Sequence, residues 1–161
     1  MINVYNGKLF VGNQYELSEI GNDFNIIHAA KDPFHKNLEG YHGTKCPQDK
    51  YYYEDMSQAS LCIIDFPKAF QWEWFPEDML SSTMKFIDKS FEENKKVFIH
   101  CNQGLSRAPS IAFMYLVSRG LMKEDTFESN LNYFYELYPD YKPADAIFEN
   151  IKRKHPFDYL K

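Results

Sequence analysis

An α/β fold, with a mostly parallel central sheet flanked by helices, is predicted by three observations. Short apolar runs of strand length bounded by Gly, Asn, Asp or Lys dominate the first hundred residues, amphipathic helical stripes fill the last sixty, and one long helical period separates the last two strands. The strand candidates are residues 8–11, 24–28, 51–53, 61–64 and 97–100. The first long helix carries Leu80, Met84, Ile87 and Phe91 on one face behind Pro76, Glu77 and Asp78, residue types that suit a first turn. Residues 108–119 are apolar on nearly every face and stop at Gly120, the pattern of a buried central helix with a glycine at its end. Phe127, Leu131, Phe134 and Tyr138 mark a third helix; Ala144, Ile147, Phe148 and Ile151 mark a fourth, which Lys152, Arg153 and Lys154 close as solvated cations.

A chain of 161 residues is long enough for one self-sufficient core, and no repeat or Gly/Pro/Ser-rich linker divides it, so residues 1–161 are expected to form a single domain. Its hydrophobic share of 44% and charged share of 25% exclude intrinsic disorder. A formal charge of -5 gives no global attraction to nucleic acid or anionic membranes, and neither is expected as a partner. No apolar run approaches a membrane span, and the opening MINVYNGKLF lacks a signal-peptide pattern, so a cytoplasmic location is expected. Three widely spaced cysteines, Cys46, Cys62 and Cys101, agree with a reducing compartment. Residues 31–50 form the one long irregular stretch, placed to wall a site.

The chemistry is concentrated in residues 96–116, KVFIHCNQGLSRAPSIAFMYL. A buried strand ends at His100, a loop of Cys101, Asn102, Gln103, Gly104, Leu105, Ser106 and Arg107 follows, and an apolar helix begins near Ala108 with Pro109 in its first turn. Strand, loop and helix N-terminus make an anion cradle: successive backbone N–H groups point inward, the helix dipole adds positive charge, and Gly104 permits close backbone approach. Phosphate fits such a cradle. A cysteine among unpaired N–H donors at a helix start is held as the thiolate, the attacking form, which makes Cys101 the candidate nucleophile. Arg107 can fold back and hold two phosphoryl oxygens in a planar fork that lysine does not reproduce.

His100, Cys101, Gly104, Ser106 and Arg107 match the H-C-x-x-G-x-S-R signature of cysteine-based protein tyrosine phosphatases, and the chain most resembles the small dual-specificity group. The resemblance extends more weakly to LFVGNQYEL, FPEDMLSSTMKFID and YPDYKPADAIFENI, and residues 29–58 depart from it. It implies a protein tyrosine phosphatase-like fold and hydrolysis of phosphotyrosine, with phosphoserine and phosphothreonine as further substrates, through a cysteinyl-phosphate. Phosphorylated proteins or small phosphoesters are then the partners, with no cofactor and no metal. It gives His100 a structural role behind the loop. It also implies an acidic residue after the preceding strand to protonate the leaving oxygen. Asp65, closing LCIID, is the first choice; the long stretch DFPKAFQWEWFP leaves Glu73 and Asp78 as rivals. At Ala108 relatives usually carry Ser or Thr, whose hydroxyl bonds the cysteine sulfur.

Other readings remain beside this one. A phospho-binding module without turnover is disfavoured by Cys101 and Arg107 and favoured by Ala108. Phosphatases for RNA 5′ phosphates or phosphoinositides are disfavoured by the neutral Asn102, Gln103 and Leu105, and a rhodanese-like sulfurtransferase by the Gly and Arg spacing. Cys62 reads as a core residue, with trapping of an oxidised Cys101 as the alternative. His28, His35, His42 and Cys46 match no common metal-ligand spacing. Phe70, Trp72, Trp74 and Phe75 read as packing, with a gate over the pocket as the alternative. Substrate preference and oligomeric state are not encoded in any pattern here.

Overall fold

Asn6 and Gly7 reverse the chain with φ of 47° and 67°, the left-handed pair of a tight hairpin turn. They fold β1 (Ile2–Tyr5) back antiparallel onto β2 (Leu9–Asn13). The computed structural model describes residues 1–47, 49–65, 76–122 and 124–161. After β3 (Phe24–His28) a wide turn, Lys31–His35, in which Asp32 is extended, leads into the single-turn α1 (Lys36–Glu39), then β4 (Tyr52–Glu54) and β5 (Gln58–Leu61). The long α2 (Glu77–Glu92) precedes β6 (Lys96–Cys101), and α3 (Arg107–Ser118), α4 (Phe127–Leu137) and α5 (Asp145–Lys154) complete the chain.

The six strands form one sheet in the order β1-β2-β6-β3-β5-β4. The four inner strands run parallel and both edge strands antiparallel, as a mostly parallel sheet requires. β6 lies between β2 and β3, with Cys101 beside Asn13 and His100 beside His28. The carboxyl end of β6 therefore opens in mid-sheet, where open α/β sheets place their ligands.

All twelve residues of α3 are buried, which explains a helix apolar on every face. It ends where Gly120 takes a φ of 67° and the Leu121 N–H donates to the Leu116 carbonyl at 2.8 Å. Asp88 of α2 accepts from the Tyr115 hydroxyl at 2.8 Å and from Arg119 Nη2 at 2.8 Å, fastening α2 to α3. Strand alternation splits β6: Val97, Ile99 and Cys101 join the main core under these helices. Phe98 and His100 turn to the opposite face, where Phe34 stacks on His28 and meets His100 edge-on.

Three expectations change. The sequence reading did not anticipate β1, although Asn6-Gly7 signals a hairpin. The strand expected at 61–64 lies at Gln58–Leu61, because its polar residues have strand work: the Ser60 hydroxyl donates to the His28 carbonyl at 3.5 Å and Gln58 faces the His28 ring. Asp65 consequently lies beyond the strand rather than closing it. Glu73 and the aromatic run Phe70, Trp72, Trp74 and Phe75 fall outside the described residues.

Burial, followed by the neighbouring His28, holds the His100 imidazole down to about 3, and burial also lowers His28. In the unfolded chain both rings take up protons near pH 6.5, protons that the folded state refuses. Stability is then complete above about pH 6.5 and falls as the pH drops toward about 3, by at most about 1.4 kcal/mol per pH unit for each ring. Urea unfolding between pH 7.5 and pH 5 is expected to show this loss, with a smaller slope in His100→Asn; a flat wild-type profile would contradict it.

Candidate active site

The loop between β6 and α3 turns at Gly104, whose φ is 74°. A Cβ there would stand 2.9 Å from the Gly12 carbonyl carbon and oxygen, so both the conformation and the space demand glycine. The loop is braced from behind. The Tyr138 hydroxyl donates to the Gly104 carbonyl at 2.6 Å, the Lys142 N–H to the Leu105 carbonyl at 2.7 Å, and the Ala144 N–H to Ser106 Oγ at 2.9 Å. These bonds take up outward-facing acceptors. Burial, Cys101 and then Asp140 push the Tyr138 hydroxyl up to about 12, so it stays a donor.

Cys101 lies at the floor of the loop, 1% exposed. Arg107, the first residue of α3, is also buried, and its guanidinium returns across the loop. Nη2 donates to Asn102 Oδ1 at 2.7 Å and Nη1 to the Ile63 carbonyl at 3.2 Å. Nε faces Asp65 Oδ2 at 3.5 Å, an ion pair too long for a good hydrogen bond, and makes none among the described residues. One buried N–H edge of the guanidinium thus faces Asp65 with donor capacity to spare.

Asn102 holds the loop from its open side. Its Nδ2 donates to Gln14 Oε1 at 3.0 Å and to the Asp32 carbonyl at 3.1 Å while its Oδ1 holds Arg107. Gln14 is itself fixed by the turn at residues 14–19, where Asn13 and Glu16 form a reciprocal cap. His100 stands behind the loop. Its Nδ1 lies 3.3 Å from the Cys101 carbonyl and its Nε2 lies 2.6 Å from His28 Nδ1. His28 in turn holds Gln58 Oε1 at 2.8 Å through its Nε2, so the proton positions along this chain of contacts are set by the ring tautomers together. A ring held neutral by burial orients the loop rather than removing protons.

The structure thus gathers Cys101, Asn102, Gly104, Ser106, Arg107 and Asp65 in one place, with Gln103 exposed and Leu105 half-buried on the rim. Asp78 sits exposed in the first turn of α2, where the helix dipole favours it. Ala108 is fully buried. Ser110 gives no substitute hydroxyl, because its Oγ is engaged with the Tyr141 hydroxyl at 2.7 Å. The sequence reading missed Gly12, Gln14, His28 and Tyr138. Only the Asn13 and Glu16 capping pattern beside Gln14 signalled part of this set; the others become neighbours only through the fold.

Known proteins resemble the chain in sequence and in fold. Mouse dual specificity protein phosphatase 19 is 28% identical over 98 residues, which span 61% of this chain and 41% of that protein. The crystal structure of DUSP15 superposes with a TM-score of 0.66 at 16% identity, covering 99% of this chain and 89% of that one. The human tyrosine phosphatase-like serine/threonine/tyrosine-interacting protein gives a TM-score of 0.65 at 20% identity over 100% and 98% of the two chains. The family model described as dual specificity phosphatase, catalytic domain, matches residues 10–153, and the chain belongs to that family.

Proposed function

We propose that the protein hydrolyses phosphate monoesters on proteins, phosphotyrosine first and phosphoserine or phosphothreonine second, through a cysteinyl-phosphate. The observation that carries this reading is the buried Arg107, whose guanidinium is held by the loop residue Asn102 and whose Nε–H makes no hydrogen bond among the described residues, in a loop that starts at the buried Cys101 and turns at Gly104. A buried cation with a spare donor edge suits a phosphoryl group. The Cys101 thiolate attacks phosphorus, the S–P bond forms, and the ester P–O bond breaks as Asp65 protonates the departing oxygen. A water then attacks phosphorus and gives its proton to the same carboxylate; phosphate leaves and the thiolate returns. Arg107 stabilises the charge on the equatorial oxygens in both steps. The position of Asp65 beside Arg107 favours it over Asp78 as the acid. The cysteines are free among the described residues, which agrees with the cytoplasm as the place of action.

A panel of phosphotyrosyl, phosphoseryl, phosphoinositide and RNA 5′-phosphate substrates tests the substrate class. The neutral Asn102, Gln103 and Leu105 predict preference for the phosphopeptides. Binding without turnover is the second reading, and the buried Ala108 favours it. Sustained release of phosphate from an aryl phosphate separates the two.

Turnover is expected to disappear in Cys101→Ser and to fall by about three orders of magnitude in Arg107→Lys, whose point charge replaces a planar fork. Activity surviving Cys101→Ser would remove the covalent mechanism.

Asp65→Asn is expected to remove the falling alkaline limb of kcat/KM, with a greater loss for phosphotyrosine than for esters of more acidic phenols. The same effect from Glu73→Gln or Asp78→Asn, and not from Asp65→Asn, would move the acid elsewhere.

With alanine at 108 and Ser110 committed to Tyr141, no neighbouring hydroxyl from these positions eases the departure of sulfur. A burst of aryl alcohol followed by slow turnover is expected, and Ala108→Ser is expected to raise the steady rate more than the burst rate. A single phase unaltered by Ala108→Ser would contradict this.

A further inference from the structure

The long segment after β3 brings together side chains that the phosphate chemistry does not use. His35 ends the turn Lys31–His35 and is fully buried, Cys46 sits on the loop beyond α1, and Cys62 directly follows β5. An imidazole nitrogen of His35 and the two sulfurs all lie within 4.8 Å of one another. The Tyr41 hydroxyl stands 3.0 Å from His35 Nδ1 and 4.0 Å from Cys62 Sγ. His35 Nε2 is shut off from water and makes no hydrogen bond among the described residues, the Lys50 backbone lying near enough only to favour its protonation. A buried imidazole that clusters with two thiols and has one nitrogen unpartnered among the described residues asks for a ligand.

We infer that His35, Cys46 and Cys62 form a binding site for one divalent zinc-like ion, with the Tyr41 hydroxyl or a water as fourth ligand. Two sulfurs and one imidazole nitrogen are a borderline-soft donor set that suits Zn(II) and not Mg(II) or Ca(II). On binding, each thiol gives a proton to solvent, and the two thiolates balance the charge of the ion. With bonds of about 2.0–2.3 Å, ligand atoms around tetrahedral zinc stand about 3.5–3.8 Å apart. The cluster reaches this by closing about an ångström, within the reach of side-chain rotation on a loop. A Cys46–Cys62 disulfide would leave the buried His35 nitrogen unsatisfied, and a reducing compartment opposes it. The ligands are eleven and sixteen residues apart, with no C-x-x-C half, so no spacing pattern announces them. Of the other histidines weighed as ligands from the sequence, His28 is engaged with His100 in the sheet and His42 is exposed.

The ion would have a structural task. Cys62 precedes Ile63, whose carbonyl accepts both the Lys31 N–H at 3.0 Å and Arg107 Nη1 at 3.2 Å. Closing the cluster fastens residues 31–50 to the end of β5, and so fixes one wall of the phosphate loop, where Asn102 Nδ2 meets the Asp32 carbonyl.

The test is titration of the full chain, reduced and stripped with chelator, with Co(II) as the spectroscopic probe. One equivalent is expected to produce thiolate-to-cobalt charge transfer and intense tetrahedral visible bands, both abolished by Zn(II), and to protect two thiols from a disulfide reagent. Cys101→Ser is expected to keep the full signal, which separates this site from the phosphate loop. Cys46→Ser, a half-buried loop position, is expected to weaken binding by more than about 100-fold, beyond the range typical of groups behind the ligands. Zn(II) is expected to raise the melting temperature of the wild type and not of Cys46→Ser, and His35→Gln is expected to behave likewise. The site is overturned by the absence of a two-thiolate signal in the wild type, by loss of the signal in Cys101→Ser, by its persistence in Cys46→Ser, or by a Cys46–Cys62 disulfide in protein prepared without oxidant.

Discussion

The buried guanidinium of Arg107 is the constraint around which the site is arranged. A charge 8% exposed needs compensating dipoles or a counter-charge, and three separate parts of the chain supply them: the Ile63 carbonyl after β5, Asn102 Oδ1 in the loop, and Asp65 across the mouth. None satisfies Nε with a good hydrogen bond. Partial compensation of this kind suits a group that must hold its position without substrate and still have donors left for a phosphoryl oxygen. Full pairing would require each bond to break before phosphate could enter.

The sheet and the aromatic packing make that arrangement rigid. Because β6 is an inner strand, its end cannot shift without breaking ladders to both β2 and β3. His100, enclosed by Phe34, Phe98 and His28, couples the Cys101 carbonyl to β3 through ring contacts and a 2.6 Å hydrogen bond. Behind the loop, the chain from the end of α4 to the start of α5 contributes the Tyr138, Lys142 and Ala144 donors. Cys101, the guanidinium and the cradle thus rest on elements from both ends of the chain, the preorganisation that the proposed reaction calls for, since its catalysis is mostly positioning.

What was legible in the sequence is what is local in it. Strand, glycine turn, arginine and buried helix fall within residues 96–119, so periodicity and residue type sufficed to place Cys101, Gly104 and Arg107. The hairpin of β1 was equally local and was passed over, although Asn6-Gly7 carries its own turn signal. The register of β5 was not local: Ala59 and Leu61 face the core, but the other face carries the polar Gln58 and Ser60 because His28, some thirty residues earlier, receives them, and an apolar run three residues later looked more like a strand. Tyr138 fitted a helical stripe, yet it caps α4 and braces Gly104. Its function depends on a neighbour 34 residues away that no period reveals.

The segment from Leu61 to Asp65 shows how one short stretch serves several demands. Leu61 and Ile63 turn into the core, Cys62 turns to the loop that carries His35 and Cys46, and Asp65 emerges at the guanidinium. A tight turn, in which the Ile63 N–H donates to the Leu61 carbonyl at 2.9 Å, separates Cys62 from its neighbours where the strand ends. The Ile63 carbonyl uses both lone pairs, one for the Lys31 N–H and one for Arg107 Nη1, so it belongs at once to the wall of the long loop and to the phosphate site. A movement of residues 31–50 therefore reaches Arg107 through one shared acceptor, and a second time through the Asp32 carbonyl and Asn102. Two routes converging on the same guanidinium give the irregular loop a physical reason to be fixed: its position sets the direction in which the arginine fork faces.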